Sequence, residues 1–217
     1  MSKVIANGLL TPYPTAYLRD AWNQLDAIIV IISWVSFDTS AFTGETDSDS
    51  NPAFAALIVR EVALGLGYAH RATDSSGSSL GLIHRDVSPQ NVLLSWQGEV
   101  KLVDFGIAKA RQKTQQTDAG VLKGKFGYMS PEQVRGLPLS NRSDLFSLGT
   151  VFWELLTGHR AFDRETDYAT MDAVRAVDLP SFDQAARTVP KALQMICLKA
   201  LQKDEEERYS RSEHMAR

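Results

Sequence analysis

The chain has 217 residues, of which 44% are hydrophobic and 23% are charged, a composition typical of one globular domain rather than of a disordered protein. Its formal net charge of −3 gives no electrostatic argument for a nucleic-acid partner or an anionic membrane. The single cysteine, Cys197, excludes an internal disulfide framework, and we expect a packed, inert thiol in a cytoplasmic protein.

The first 52 residues differ in composition from the rest of the chain. Residues 1–37 are apolar and aromatic, but their most apolar run, residues 27–37, is about eleven residues long. A helix needs roughly 18–20 apolar residues to span a bilayer, so membrane association through residues 1–37 stays open but is not favoured. Residues 38–52 are acidic and rich in Ser and Thr, which predicts a flexible linker.

From residue 53 onward the pattern is continuous and mainly helical. The first predicted helix runs from Ala53 to His70. Its expected apolar face is made of four aliphatic residues with an aromatic one beside them: Ile58, Val62, Leu64, Leu66 and Tyr68. Two short β-rich runs, 92–95 and 100–103, flank Gln97-Gly98 and predict a hairpin. Residues 112–125 are polar and weakly patterned, as a mobile loop would be.

The next predicted helix runs from Asp144 to Thr157, with Ser143 as a candidate N-cap and Gly158 at its end. Apolar residues cover nearly every side of it. A helix of this length that is apolar all round is normally buried at the centre of a domain. Two further helices are predicted at residues 167–176 and 190–201.

Two motifs carry the chemistry. Residues 81–91 read Gly-Leu-Ile-His-Arg-Asp-Val-Ser-Pro-Gln-Asn and contain Asp86 and Asn91, and a second motif is Asp104-Phe105-Gly106. Asp86 can accept the proton of a hydroxyl group, while Asn91 and Asp104 can ligate a Mg²⁺ ion that bridges nucleotide phosphates. A Ser-Pro-Glu element begins 26 residues after Asp104. The order and spacing of the three elements favour phosphoryl transfer.

On these motifs, residues 53–217 resemble the C-terminal lobe of a bacterial Ser/Thr protein kinase of the type abundant in myxobacteria, ending near the last helix of that lobe. The resemblance implies a mainly α, kinase-like C-lobe of the α+β family. It also implies transfer of a phosphoryl group from ATP, with Mg²⁺, to Ser or Thr of a protein. The sequence identifies neither the protein substrate nor a partner, and we expect no nucleic acid.

The resemblance also assigns roles to individual residues. Arg85 would pair with a phosphorylated residue of the activation loop, for which Thr114 and Thr117 are candidates. Leu93 would lie beneath an adenine ring. The residues expected to support the structure are His84, Phe105, Gly106, Asp144, which would brace the catalytic loop, and Glu132 with Arg208, which would form a buried ion pair.

The chain departs from the family pattern beside the catalytic aspartate. The family has Lys two residues after that aspartate, where this chain has Ser88, and Thr where this chain has Lys125. Because the two positions touch in the kinase fold, we expect Lys125 to take the role of the catalytic-loop lysine. Its ammonium should lie within roughly 3–5 Å of the Asp86 carboxylate. Ser88 should donate a hydrogen bond to Asp86.

A second departure concerns the small N-terminal lobe. No Gly-x-Gly-x-x-Gly loop and no Val-Ala-x-Lys strand precedes Ala53, so no N-lobe is recognisable. We therefore expect weak or absent catalysis by this polypeptide. The alternative hypothesis is a non-catalytic, kinase-like (pseudokinase) binding module, with or without membrane attachment through residues 1–37.

Residues 1–37 weakly resemble another family. The runs 3–10 and 17–30, with Trp22-Asn23 and Asp26 before an apolar segment, are similar to the second-to-third helix (S2–S3) segment of a voltage-gated cation-channel domain. The likeness is short and includes neither an Arg-rich helix nor a pore, so we expect no channel activity.

Overall fold

The computed structural model describes residues 30–31, 52–95, 98–105, 125–182 and 189–217. These ranges are mainly helical, as predicted. The helices are α1 (Pro52–His70), α2 (Pro131–Val134), α3 (Asn141–Thr157), α4 (Asp167–Ala176), α5 (Lys191–Ala200) and α6 (Ser212–Met215). The strands are β1 (Val30–Ile31), β2 (Val92–Leu94) and β3 (Val100–Leu102), and single 3₁₀ turns cover Pro89–Asn91, Phe126–Tyr128 and Glu205–Glu207.

Helix α3 is the centre of the domain, as its apolar pattern predicts. From residue 143 to its end almost every side chain is buried, including Phe146, Phe152 and Trp153. Each such side chain contributes roughly 1.5–3 kcal/mol of burial free energy. Helices α1 and α5 pack against α3, and α6 packs against α1. Helix α3 is therefore the element against which α1 and α5 are positioned.

The N-terminus of α3 corrects the predicted cap. The N-cap is Ser140, whose hydroxyl accepts hydrogen bonds from the backbone of the first turn, and Ser143 is the third helical residue. The Ser143 hydroxyl in turn accepts the Ser140 backbone N–H, at 3.3 Å. Two serines three residues apart thus form a reciprocal capping box, which extends the helix by three residues relative to the prediction. Gly158 ends the helix in a left-handed conformation (φ 72°), as expected.

Helix α1 has the predicted extent but a different buried face. Ile58, Val62 and Leu66 are buried, whereas Leu64 and Tyr68 are 37% and 40% exposed. The buried positions are spaced by three and four residues, and Leu64 and Tyr68 fall outside that stripe. In the described part of the chain, α1 is also the helix long and apolar enough to cross a membrane by length and composition.

The three strands form one antiparallel sheet in the order β1-β2-β3. The predicted hairpin is confirmed: Leu93 of β2 is opposite Lys101 of β3, and Gly98 in the connection has a φ of 83°. On its other side, Leu93 is in register with Ile31 of β1. Residues 112–124 of the predicted mobile loop lie outside the described residues.

The two later helices match their predictions closely. Helix α4 has the predicted bounds, and α5 is one residue shorter at each end because Pro190 and Leu201 have non-helical cap geometry. Cys197 of α5 is fully buried, and burial raises the pKa of its thiol. An inert, packed thiol is what the sequence predicts.

Candidate active site

The catalytic loop is fixed to the core through its backbone. The Asp144 carboxylate, on the first turn of α3, accepts the backbone N–H groups of His84 and Arg85, both at 2.8 Å. Gln133 of α2 donates to the Arg85 carbonyl at 2.8 Å. These bonds hold Arg85 at a φ of 69°, a left-handed conformation that costs a non-glycine residue about 1–3 kcal/mol. Asp144 therefore braces the loop as the sequence suggested.

His70, which belongs to neither sequence motif, is also part of this brace. Its Nε2 lies 2.7 Å from Asp144 Oδ2, and its Nδ1 lies 3.4 Å from the Ser212 hydroxyl of α6. A histidine at the C-terminus of α1 thus joins that helix to α3 and α6. Only its position at the end of a predicted helix pointed to a special role.

His84 links the catalytic loop to the second motif. Its Nδ1 accepts the Asp86 backbone N–H at 3.3 Å, so its Nε2 carries the proton and donates to the Val103 carbonyl at 3.0 Å. Its ring contacts Phe105, with centroids 4.4 Å apart. Burial lowers the pKa of His84, although nearby carboxylates, chiefly that of Asp144, oppose the shift. A neutral, packed His84 is consistent with a structural role.

Asp86 and Lys125 form an ion pair across the site. The Lys125 ammonium lies 3.0 Å from Asp86 Oδ2, inside the distance expected from the sequence. The two side chains are 25% and 16% exposed, so the pair is partly shielded from water. Lys125 immediately precedes the 3₁₀ turn Phe126–Tyr128, and this turn fixes the position of the Lys125 backbone.

The prediction for Ser88 is wrong in one respect. Its hydroxyl is buried and has no hydrogen-bond partner among the described residues, so the expected bond to Asp86 is not formed. Ser88 has an extended backbone (φ −157°, ψ 161°) at the start of the turn Pro89–Asn91, while Asp86 Oδ2 is engaged by Lys125 instead.

Asn91 and Asp104 lie on segments that are hydrogen-bonded to each other. The Asn91 amide nitrogen donates to the Asp86 carbonyl at 2.6 Å, and the Asn91 carbonyl accepts the Val103 N–H at 2.9 Å. Asp104 is exposed and has a φ of 59°. Mg²⁺ usually takes one or two protein oxygen ligands together with phosphate oxygens and waters. The Asn91 amide oxygen and the Asp104 carboxylate fit that requirement.

The supporting ion pair lies beside the N-terminal end of α3, where Arg208 also bonds to the Arg142 carbonyl. Arg208 donates to both carboxylate oxygens of Glu132, at 2.8 and 3.1 Å, and also to three backbone carbonyls. Burial raises the pKa of Glu132, but hydrogen bonds from Arg208 and Ser143 and the Arg208 charge outweigh it and hold the pKa below its ordinary value. The pair fastens α2 to the segment before α6.

A second buried group, which sequence reasoning missed, supports the turn after Lys125. The Tyr128 hydroxyl donates to Glu154 of α3 at 2.5 Å, and the Arg160 guanidinium lies 5.8 Å from the Tyr128 ring centroid. Burial raises the pKa of both Tyr128 and Glu154. The available signal was Glu154 itself, a carboxylate inside the otherwise apolar run 151–156.

Three predicted residues, Gly106, Thr114 and Thr117, lie outside the described residues. The pairing of Arg85 with a phosphorylated threonine therefore stays a prediction. Leu93 is partly buried on β2. The remaining residues form two groups, the loop with its partner Lys125 and the supports on α2, α3 and the segment before α6.

Comparison with known families decides what this arrangement is. The family described as protein kinase domain matches residues 17–217. The chain belongs to the protein kinase family. The match begins within the segment predicted to lie outside the domain, and the channel likeness of residues 1–37 is not confirmed.

Two bacterial kinases illustrate the relationship. The chain is 42% identical over 159 residues to tyrosine-protein kinase MasK of Myxococcus xanthus, and the match covers 73% of this chain and 25% of MasK. It is 31% identical over 198 residues to serine/threonine-protein kinase PrkC of Bacillus subtilis, and that match covers 91% of this chain and 29% of PrkC. The chain thus spans about a quarter of the length of these curated relatives.

A solved structure supports the fold. The twitchin kinase region of C. elegans superimposes with a TM-score of 0.62 at 24% identity, over 77% of this chain and 28% of the twitchin chain. The sequence-based prediction of a protein kinase fold is therefore confirmed, while a C-lobe-only architecture is not.

Proposed function

We propose that this domain transfers the terminal phosphoryl group of ATP to a Ser or Thr hydroxyl of a protein. The observation that carries the proposal is the Asp86 carboxylate, held on a loop whose backbone is bonded to Asp144 of the central helix. A hydroxyl that hydrogen-bonds to Asp86 is oriented for attack and can give up its proton there. Phosphoryl transfer depends mainly on such positioning and on charge stabilisation.

Asn91 and Asp104 would hold Mg²⁺, which neutralises charge on the nucleotide phosphates when it is bound. The bond between the Asn91 carbonyl and the Val103 N–H keeps the two segments in register. Leu93, on β2 directly after the catalytic loop, would support the adenine ring. None of these assignments needs a residue outside the described part of the chain.

The domain corresponds best to the large lobe of a kinase, located in the cytoplasm. Because the sequence before Ala53 contains no Gly-x-Gly-x-x-Gly loop, several phosphate contacts are missing from this polypeptide. Every 1.4 kcal/mol of transition-state stabilisation that is lost with these contacts lowers the rate about tenfold. We expect turnover on the order of 10³-fold below the roughly 1–100 s⁻¹ of ordinary kinases.

A non-catalytic binding module is the second candidate. The observation in its favour is the Lys125 ion pair with Asp86, because a carboxylate held by an ammonium is a weaker proton acceptor. The acceptor residue is a separate question, since MasK is named a tyrosine kinase and PrkC a serine/threonine kinase.

The test is a radiolabelled ATP assay on the 217-residue chain with casein and Mg²⁺, followed by phosphoamino-acid analysis. We expect slow transfer to Ser and Thr that is abolished by Asp86→Asn and unaffected by Asp172→Asn, a matched change on the exposed face of α4. Phosphotyrosine alone would reassign the acceptor. An inactive wild type would favour the binding module, whereas transfer that survives Asp86→Asn would contradict the role proposed for Asp86.

A further inference from the structure

The side chain of Lys125 reaches the reacting end of the proposed site from a different loop than Asp86. Its ammonium is 3.0 Å from Asp86 Oδ2 and 25% exposed. The turn that follows Lys125 is rigidly supported, because Tyr128 is bonded to Glu154 and a Cβ on Gly127 would come within 2.6 Å of the Phe162 carbonyl. Lys125 is therefore presented to the site from a fixed backbone.

We propose that Lys125 is a catalytic residue whose ammonium contacts the phosphoryl group during transfer. The inference rests on the proposed function and deepens it. An acceptor hydroxyl that hydrogen-bonds to Asp86 lies about 2.7 Å from a carboxylate oxygen, so an ammonium 3.0 Å from that oxygen lies less than about 6 Å from the hydroxyl. The arriving phosphoryl group would bond to that hydroxyl oxygen, which would bring its own oxygens within reach of the ammonium.

The chemistry of the ammonium suits this location. The Lys125 side chain has three N–H donors, and the observed contact with Asp86 uses one of them. Negative charge spreads over the phosphoryl oxygens in the transition state, and a nearby fixed cation stabilises that charge. The side chain has four flexible carbons, so its ammonium can move from the carboxylate to the phosphate without a backbone change.

The neighbouring Ser88 hydroxyl supports the assignment. It lies two residues from Asp86, is buried, and has no hydrogen-bond partner among the described residues. Position 88 of the catalytic loop thus offers no cation, and among the described residues Lys125 supplies the ammonium that contacts Asp86. If the two positions share one role, a lysine at 88 should replace the lysine at 125.

Two other roles for the ion pair give different results. If Lys125 only stabilises the turn, its loss should lower the affinity for all nucleotides equally or for none of them. If Lys125 blocks Asp86, its loss should raise the rate of transfer. A phosphoryl contact requires a lower rate and a loss of affinity that appears only when the third phosphate is present.

The experiment compares Lys125→Thr, Lys125→Met and the double variant Lys125→Thr/Ser88→Lys in the 217-residue chain, with Lys191→Thr as an exposed control on α5. We expect casein phosphorylation to fall at least 30-fold in both single variants and to recover at least tenfold in the double variant. Affinity for Mg·AMP-PNP should fall about tenfold in the single variants, while affinity for Mg·ADP and the melting temperature stay unchanged.

Three outcomes would overturn the inference. The single variants could lose affinity equally for both nucleotides, or their rate of transfer could be unchanged or raised. The double variant could also transfer phosphate no faster than Lys125→Thr. The Met variant keeps the apolar stem, so it remains informative if Lys125→Thr does not fold. If transfer depends on Asp86 but the Lys125 variants behave like the wild type, this inference is wrong and the proposed function stands. A wild-type chain that neither binds Mg·AMP-PNP nor transfers phosphate would overturn the proposed function as well.

Discussion

Replacing Arg208 with Met tests how strongly the buried ion pair with Glu132 fastens α2 to the segment before α6. The Arg208 side chain is completely buried and the Glu132 side chain is 10% exposed, with two direct bonds between them. Methionine fills much of the same space but leaves the Glu132 carboxylate buried without its cation, and three backbone carbonyls lose a donor. Breaking a buried pair in this way costs about 3–5 kcal/mol.

A loss of this size is a large part of the roughly 5–15 kcal/mol that stabilises a typical domain. For a chain of this length, it corresponds to a fall in melting temperature of about 6–20 °C. The matched control is Arg164→Met, since Arg164 pairs with an Asp178 side chain that is 69% exposed. Such surface pairs contribute about 0–1 kcal/mol. Urea unfolding of both variants measures the difference, and equal losses would refute the reasoning.

The free-energy gap between wild type and Arg208→Met should also narrow in acid. Because the pKa of Glu132 is lowered in the folded state, its ionised form stabilises the wild type at pH values above its ordinary pKa of about 4.3. That stabilisation is lost as the pH falls through the folded-state pKa of Glu132. Thermal melts of both proteins between pH 7 and pH 3 would measure the change. Gly65→Ala should stabilise α1 by about 0.5–1 kcal/mol, because a Cβ there meets nothing within 4 Å. Gly127→Ala should cost about 1–3 kcal/mol, because its Cβ would collide with a backbone carbonyl. Ser140→Ala should cost about 1 kcal/mol by removing the cap of α3, and a loss below 0.3 kcal/mol in urea titrations would contradict the observed capping box.

The four longer helices were predictable because their sequence patterns are long, whereas the four-residue helices α2 and α6 were not predicted. The apolar circumference of α3 predicted its central position, and Gly158 predicted its end. The start of α3 was not predicted because Ser140 and Ser143 are both good caps, and only their mutual hydrogen bonds decide between them. In α1, Leu64 was assigned to the core by its hydrophobicity, although the tertiary contacts of the helix select a different stripe.

For the site, spacing predicted which residues meet, and hydrogen-bond geometry decided the details. The proximity of Lys125 to Asp86 followed from two matched departures from the family pattern. The Ser88 bond failed because a side chain's direction depends on backbone dihedrals that a motif does not specify. Tyr128 and Glu154 were missed because the partner of a buried carboxylate can come from anywhere in the chain.

The attachment of the catalytic loop to Asp144 has a consequence for how the domain opens. The amide hydrogens of His84 and Arg85 are bound to a carboxylate of the central helix, so isotope exchange at these two positions requires the catalytic loop to separate from α3. Their protection factors should therefore approach those of core amides rather than those of exposed loops. The reacting end of the site then keeps its shape for as long as its attachment to the core persists.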